Sequence, residues 1–264
     1  MNFIYLFPFS YFFNTRLRTG SLGFHAIFEW LAAVILVLVV GATGPMPALA
    51  NAGLSYLAFI SLYEIGYMVN DLFAAHKEKG GRRRGPQGIN GGWITAWFVS
   101  RIITFALTTS LMGKLAAPEW WSFFAALCVV FALHNVLQDR EFKAATFLWL
   151  AWFRFMAPIM FVVQDTQRMG IGLAAAMTYA AFRLFGYLDS KDLLQMPGRQ
   201  RPGFRLFFFM MPLAGSLALW PYEAARGFLI LIGYYVLVAI LGTAIGAVQL
   251  RTGKKTMKVD RCVD

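Results

Sequence analysis

The stretch Glu64-Ile65-Gly66-Tyr67-Met68-Val69-Asn70-Asp71-Leu72-Phe73-Ala74-Ala75-His76-Lys77-Glu78 stands where a long apolar run gives way to a basic loop. On a helix Glu64, Asp71 and Glu78, seven residues apart, fall close to one stripe. Asn70 stands beside Asp71, and Lys77, Lys79 and Arg82 to Arg84 follow directly. Acids stacked on one face with cations just beyond suit a divalent metal holding a phosphorylated ligand. Taken alone, the stretch fits a solvated helix end with scattered charge equally well.

Composition sets the surroundings of that stretch. Of 264 residues, 59% are hydrophobic, 17% aromatic and only 14% charged. A soluble domain carries about 25% charged residues, so the deficit points to a chain solvated mostly by lipid. Two cysteines, Cys128 in an apolar run and Cys262 in the basic tail, make neither a disulfide framework nor a metal knuckle. The aromatic start, Met1 to Phe13, is too short to span and precedes its cations Arg16 and Arg18. That order is the reverse of a secretory leader and predicts an interfacial arm over 1–20.

Apolar stretches near the length needed to cross a bilayer, about 20 residues, occur at 21–42, 48–70, 93–113, 119–137, 144–163, 169–189, 204–220 and 227–250. The seventh is the shortest and holds Pro212, which predicts a kink or tilt. Lys and Arg number 18 over the N-terminal arm and segments 71–92, 138–143, 189–205 and 251–264, against three (Lys114, Arg168, Arg226) in the alternate loops. This bias predicts both termini and the two long polar loops, 71–92 and 189–205, in the cytoplasm. It also accounts for the net charge of +11 without a nucleic-acid partner. The expected fold is all-α: one integral membrane domain over 1–264, a polytopic helical bundle of eight or nine transmembrane helices.

Glu29, Glu64, Arg101, Arg154 and Arg183 lie within spans, all toward the cytoplasmic end. An ionisable group there costs a few kcal/mol or more unless it meets a partner or a wet cavity. Five at similar depth predict one polar cavity with Glu64, Arg101 and Arg183 facing a ligand; ion pairing, as of Glu64 with Arg101, is the structural alternative. Arg183, Tyr187 and Lys191 are four apart and share a helical face, as Glu64 and Asp71 do on the second span. The placement fits a diverged repeat of three-helix units starting at the second and sixth spans. His25, His76 and His134 sit on separate segments and read as polar groups near the interface.

The sixth span runs into Tyr187-Leu188-Asp189-Ser190-Lys191-Asp192-Leu193-Leu194-Gln195-Met196-Pro197-Gly198-Arg199. With Asn70-Asp71 through Glu78 after the second span, this layout resembles the UbiA superfamily of intramembrane prenyltransferases. That family carries aspartate-rich motifs on those two loops. Arg84-Gly85-Pro86 and the stretch His134 to Arg140 leading to Arg154 and Pro158 are similar to further family features. The chain departs from the pattern at Ala74, Glu78, Gln195 and Arg199, where the family has acids of its own motifs.

The resemblance implies transfer of a prenyl group from a prenyl diphosphate to an acceptor at the cytoplasmic mouth of a hydrophobic tunnel, with Mg²⁺ as cofactor and membrane lipid as surroundings. Asn70, Asp71 and Glu78 on one side, and Asp189 and Asp192 on the other, are the implied metal ligands. They suit one hard-metal site rather than the family's two. Lys191, Arg84 and Arg199 are the implied phosphate grips. Asp71, Tyr187, Lys191 and Asp192 form the implied catalytic set. Phosphoribosyl transfer to a polyprenyl phosphate, a non-catalytic isoprenoid-binding protein and a small transporter are the competing readings.

Overall fold

Proline and short polar caps set where the helices begin. In the computed structural model, which describes residues 3–17, 22–74, 85–86 and 89–251, eight main helices follow an N-terminal arm. They are α1 (Leu22–Val40), α2 (Pro45–Phe73), α3 (Gly91–Leu111), α4 (Pro118–Val136), α5 (Arg140–Met156), α6 (Asp165–Ser190), α7 (Pro202–Leu219) and α8 (Ala224–Arg251). Pro45, Pro118 and Pro202 stand at the first helical turn, where the missing N–H is not needed. Asn90 caps α3 by accepting from Trp93 N at 2.9 Å, and Asp139 caps α5 by accepting from Glu141 N at 2.7 Å.

All of these helices but α5 are long and apolar enough to cross a membrane. The chain is therefore an integral membrane protein built as a helical bundle. The stretch expected as a span over 144–163 folds differently. Helix α5 has 17 residues, about 25 Å at 1.5 Å per residue. It stops ahead of Pro158, and Ala157–Val163 continues as tight buried turns that end in an isolated bridge from Val163 to Gly41. Irregular backbone is tolerated at such depth because protein, not lipid, surrounds it. At Pro212, α7 tightens into a 3₁₀ turn over Met211–Gly215, as a proline inside a span demands.

Helix α6 packs along α8, α2 along α3, and α4 along α5, while α1 touches α2 and α8. A Cβ on Gly66 would lie 2.5 Å from the Phe131 ring, so the missing side chain lets α4 close on α2. The interior is aromatic, with Trp97, Trp120, Phe155, Tyr179 and Tyr235 fully buried, whereas Leu107, Leu111, Val129, Leu217 and Ile245 point outward. An apolar exterior around an interior that holds the polar side chains is the pattern of a chain dissolved in lipid.

Four π-helical turns occur among the described residues: Phe13–Leu17 in the arm, Ala26–Leu31 in α1, Asn70–Ala74 at the end of α2, and Ala176–Ala180 in α6. A π turn inserts a residue and loosens the backbone ladder. In α1 the carbonyls of Ile27 and Phe28 accept from the Tyr234 and Tyr235 hydroxyls of α8 at 2.6 and 2.7 Å.

Part of the arm is enclosed by the bundle, while Phe3, Phe7 and Phe13 stay exposed. Tyr11, Phe12 and Leu17 are buried. Arg101 of α3 donates to the carbonyls of Tyr5, Leu6 and Phe7 at 2.7–2.9 Å, and Glu64 of α2 accepts from Phe12 N at 2.7 Å. Short helical turns leave backbone groups unpaired at their ends, and this buried ion pair supplies partners.

Candidate functional site

The π turns place Arg16, Asn70 with Asp71, and Tyr179 on one cavity wall, and Glu29 beside it in contact with Tyr179. Inserted residues of this kind occur often at functional sites.

Glu29 is the centre of a buried cluster. Its Oε2 lies 2.9 Å from His25 Nδ1, accepts from the Tyr179 hydroxyl at 2.8 Å and stands 3.1 Å from Arg154 Nε. Its Oε1 accepts from the Tyr56 hydroxyl at 3.2 Å. The Arg154 guanidinium also lies 4.3 Å over the Phe12 ring and donates to the Tyr67 hydroxyl at 3.4 Å. A fully hydrogen-bonded pair of this kind tolerates removal from water, whereas either ion alone does not.

Arg154 and Tyr179 are shared with a cavity of about 150 Å³ at the end of the bundle where α2, α4 and α6 finish and α5 begins. Its described wall holds five cations, Arg16, Lys143, Arg154, Arg183 and Lys191, with His134 and one carboxylate, Asp71. Tyr63, Tyr67, Phe131, Phe147, Tyr179 and Tyr187 supply an aromatic face.

Asp71 is engaged on both oxygens. Oδ1 accepts from Arg16 at 2.8 Å and Oδ2 from the Tyr11 hydroxyl at 2.8 Å. Burial and the Asp71 carboxylate together raise the Tyr11 phenol well above its usual range, which keeps it a donor. Burial opposes the charge on Arg16, but Asp71 together with Tyr67 and Tyr11 outweighs it and raises the guanidinium further. The Arg16 group lies 4.3 Å over the Tyr67 ring, a contact that suits a planar cation.

On the opposite wall, Lys143 is buried, and that burial with the nearby Lys191 ammonium lowers its pKa. His134 Nδ1 is 2.8 Å from the Thr146 hydroxyl. Tyr187 stacks on Phe147 at 4.5 Å between ring centres, and its buried hydroxyl has no hydrogen-bond partner among the described residues. The Arg183 guanidinium lies within 5.8 Å of the Phe24 and Phe147 ring centres.

Of the residues singled out in the sequence, Asn70, Asp71, Arg183, Tyr187 and Lys191 line this cavity. Glu64 and Arg101 do not. They pair with each other at 2.6 Å, fully buried, and hold the arm, so the ion-pair alternative accounts for them and the ligand-facing expectation does not. Asp189 and Arg199 bond each other at 2.7 Å and are absent from the cavity wall. Asp192 is exposed in a left-handed turn with φ of 58°. Glu78 and Arg84 lie outside the described residues. Arg16, His25, Lys143 and Tyr179 were not placed in the site by sequence, whereas Glu29 and Arg154 were expected among the ions of one polar cavity. Of the four, only His25, four residues from Glu29 on one helical face, carried a local signal.

Among the described residues, the expected Mg²⁺ ligands Asp71, Asp189 and Asp192 are not brought into one group. Mg²⁺ takes an octahedron of oxygens at close range. No group of three or more His, Cys, Asp or Glu among the described residues could hold a metal. Both oxygens of Asp71 already bind cationic or hydroxyl donors, Asp189 is held by Arg199, and Asp192 faces outward.

The arrangement defines a class: an integral membrane helical bundle with a cation-lined, aromatic-walled cavity at one end. No protein-family model, curated protein or solved structure matches the chain.

Proposed function

We propose that this protein is a UbiA-like membrane transferase that moves a prenyl group from a prenyl diphosphate to an acceptor, the donor headgroup entering the cavity from the cytoplasmic side. One observation carries the reading: cations and six aromatic side chains line a single small cavity. The basic-loop bias of the sequence supports the orientation.

The chemistry follows from that juxtaposition. Breaking the allylic C–O bond leaves the electron pair on the departing diphosphate, where Lys143, Arg183 and Lys191 stabilise the charge as it develops. The carbon left behind is an allylic cation, which the faces of Tyr67, Phe147 and Tyr187 stabilise through their ring quadrupoles. An acceptor nucleophile then closes the new bond and loses a proton. The aromatic wall also keeps water from intercepting the cation.

The test is pyrophosphate release by purified protein in lipid nanodiscs, given geranyl to long-chain prenyl diphosphates and a lipid extract of the source membrane as acceptor. Label from the donor should appear in a new lipid, and Arg183→Ala should suppress both readouts. Release by wild type that Arg183→Ala and Lys191→Ala leave untouched would sink the assignment, as would no release from any donor. The second reading, a non-catalytic isoprenoid-binding protein, is favoured by the engagement of both Asp71 oxygens by Arg16 and Tyr11. It is supported instead if prenyl diphosphate binds and copurifies but is never consumed.

A further inference from the structure

We infer that the cavity grips its phosphorylated ligand by direct contact with protein cations, without a bridging divalent metal, and that the arm residue Arg16 supplies the counter-charge to Asp71 that a metal would otherwise provide. The inference rests on the donor-site reading of the cavity but concerns how the anion is held, not whether it reacts.

Three observations carry it. The first is charge. The described wall carries five cations against one carboxylate, Asp71. A wall of that composition repels a metal ion and focuses an attractive field on an anion. The second is geometry at Asp71. A guanidinium on one oxygen and a hydroxyl on the other occupy the carboxylate on both sides, so this acid orients Arg16 rather than offering lone pairs to a cation. The same guanidinium is stacked on Tyr67, and a planar cation fixed by both contacts is well prepared for phosphate oxygens. The third is Tyr187. Its side chain is 6% exposed and lines the cavity, and its hydroxyl bonds to nothing among the described residues. A buried hydroxyl left without a partner is costly, and an anion in the cavity gives it an acceptor.

Lys143 belongs to the same device. It is held near the Lys191 ammonium on the cavity wall, an arrangement that an anion placed between them relieves. Such crowding of like charge on the walls of one small space is what a phosphate site requires and a metal site does not.

The experiment uses inorganic pyrophosphate as the probe and the full chain in detergent micelles, with calorimetry run once in EDTA and once in Mg²⁺. Saturable binding in EDTA, at least as tight as in Mg²⁺, is expected, because free Mg²⁺ competes with the protein for pyrophosphate oxygens. Lys191→Ala and Arg183→Ala should each weaken binding by about tenfold or more, the usual worth of one charge-assisted hydrogen bond. Tyr187→Phe should weaken it by about threefold. Asp71→Asn decides the sign: a metal ligand lost would abolish binding, whereas here binding in EDTA should survive, weakened by no more than about threefold as Arg16 loses its orienting partner. If that variant does not fold, the wild-type comparison of EDTA with Mg²⁺ remains decisive. Binding seen only with Mg²⁺ would overturn the inference, and so would EDTA binding that the Lys191 and Arg183 variants leave unchanged. Pyrophosphate bound in EDTA with no turnover of any prenyl diphosphate would overturn transfer alone. Turnover with binding strictly dependent on Mg²⁺ would overturn only this inference.

Discussion

Replacing Arg101 by methionine separates a structural ion from a ligand-binding one. The side chain is fully buried and makes four contacts that methionine cannot: Glu64 at 2.6 Å and the carbonyls of Tyr5, Leu6 and Phe7 at 2.7–2.9 Å. Removing one partner of a buried pair strands the other and costs about 3–5 kcal/mol. Three lost carbonyl bonds add up to about 1 kcal/mol each. Arg101→Met should therefore destabilise the protein by about 4 kcal/mol or more. The double variant Glu64→Leu/Arg101→Met removes the stranded carboxylate but keeps the carbonyl loss and adds that of the bond from Phe12 N, so it should recover about 2 kcal/mol over the single change. Equilibrium unfolding in mixed micelles, followed by far-ultraviolet circular dichroism, measures both. Because the pair holds the arm, trypsin should also cut after Arg16 faster in the single variant. Arg101→Met with unaltered stability but lost pyrophosphate binding would refute the structural assignment, and so would a double variant less stable than the single.

Other perturbations read other parts of the molecule. Glu29→Gln strands Arg154 beside His25 and should cost about 3–5 kcal/mol, whereas Tyr56→Phe removes one hydroxyl bond to Glu29 and should cost about 1 kcal/mol; the same micelle titration ranks them. Gly66→Ala drives a methyl group toward the Phe131 ring, 2.5 Å from its ideal position, and should cost about 1–3 kcal/mol by overpacking while weakening pyrophosphate binding, since Phe131 lines the cavity. Lys143 binds its proton less tightly in the fold because of burial and Lys191. Between its lowered folded value and the ordinary lysine range the unfolded chain holds more protons, so stability should rise with pH through that window, and Lys143→Met should flatten the rise. Thermal midpoints across alkaline pH check the sign, and a wild-type slope that falls would refute it.

The sequence reading located the parts of the site that follow from periodicity and missed those that depend on tertiary partners. Arg183, Tyr187 and Lys191 sit four apart on an ordinary helix end, and all three line the cavity. Arg16 and Tyr179 sit in π turns, where the inserted residue rotates the side chain off the face that a 3.6-residue template assigns. The same template gave a span over 144–163, because composition alone does not reveal that the helix stops ahead of Pro158 and that buried turns complete the depth. Asp189 and Arg199 illustrate a different failure. They are ten residues apart, and only a folded loop shows that they spend their charge on each other.

The arm joins the two ionic centres into one arrangement. Glu64 and Arg101 fix its backbone. Tyr11 and Arg16 then reach Asp71, while Phe12 carries the Arg154 guanidinium on its ring face. Arg154 in turn answers Glu29. Loss of the clamp at Arg101 should therefore release Arg16 from Asp71 and unseat Arg154 together, even though Arg101 itself is not on the cavity wall. A pyrophosphate affinity that falls in Arg101→Met and recovers in the Glu64→Leu/Arg101→Met double variant only as far as stability does is the expected signature of that coupling. Affinity that stays low in the double variant after stability has recovered would mean that the guanidinium acts on the ligand by itself.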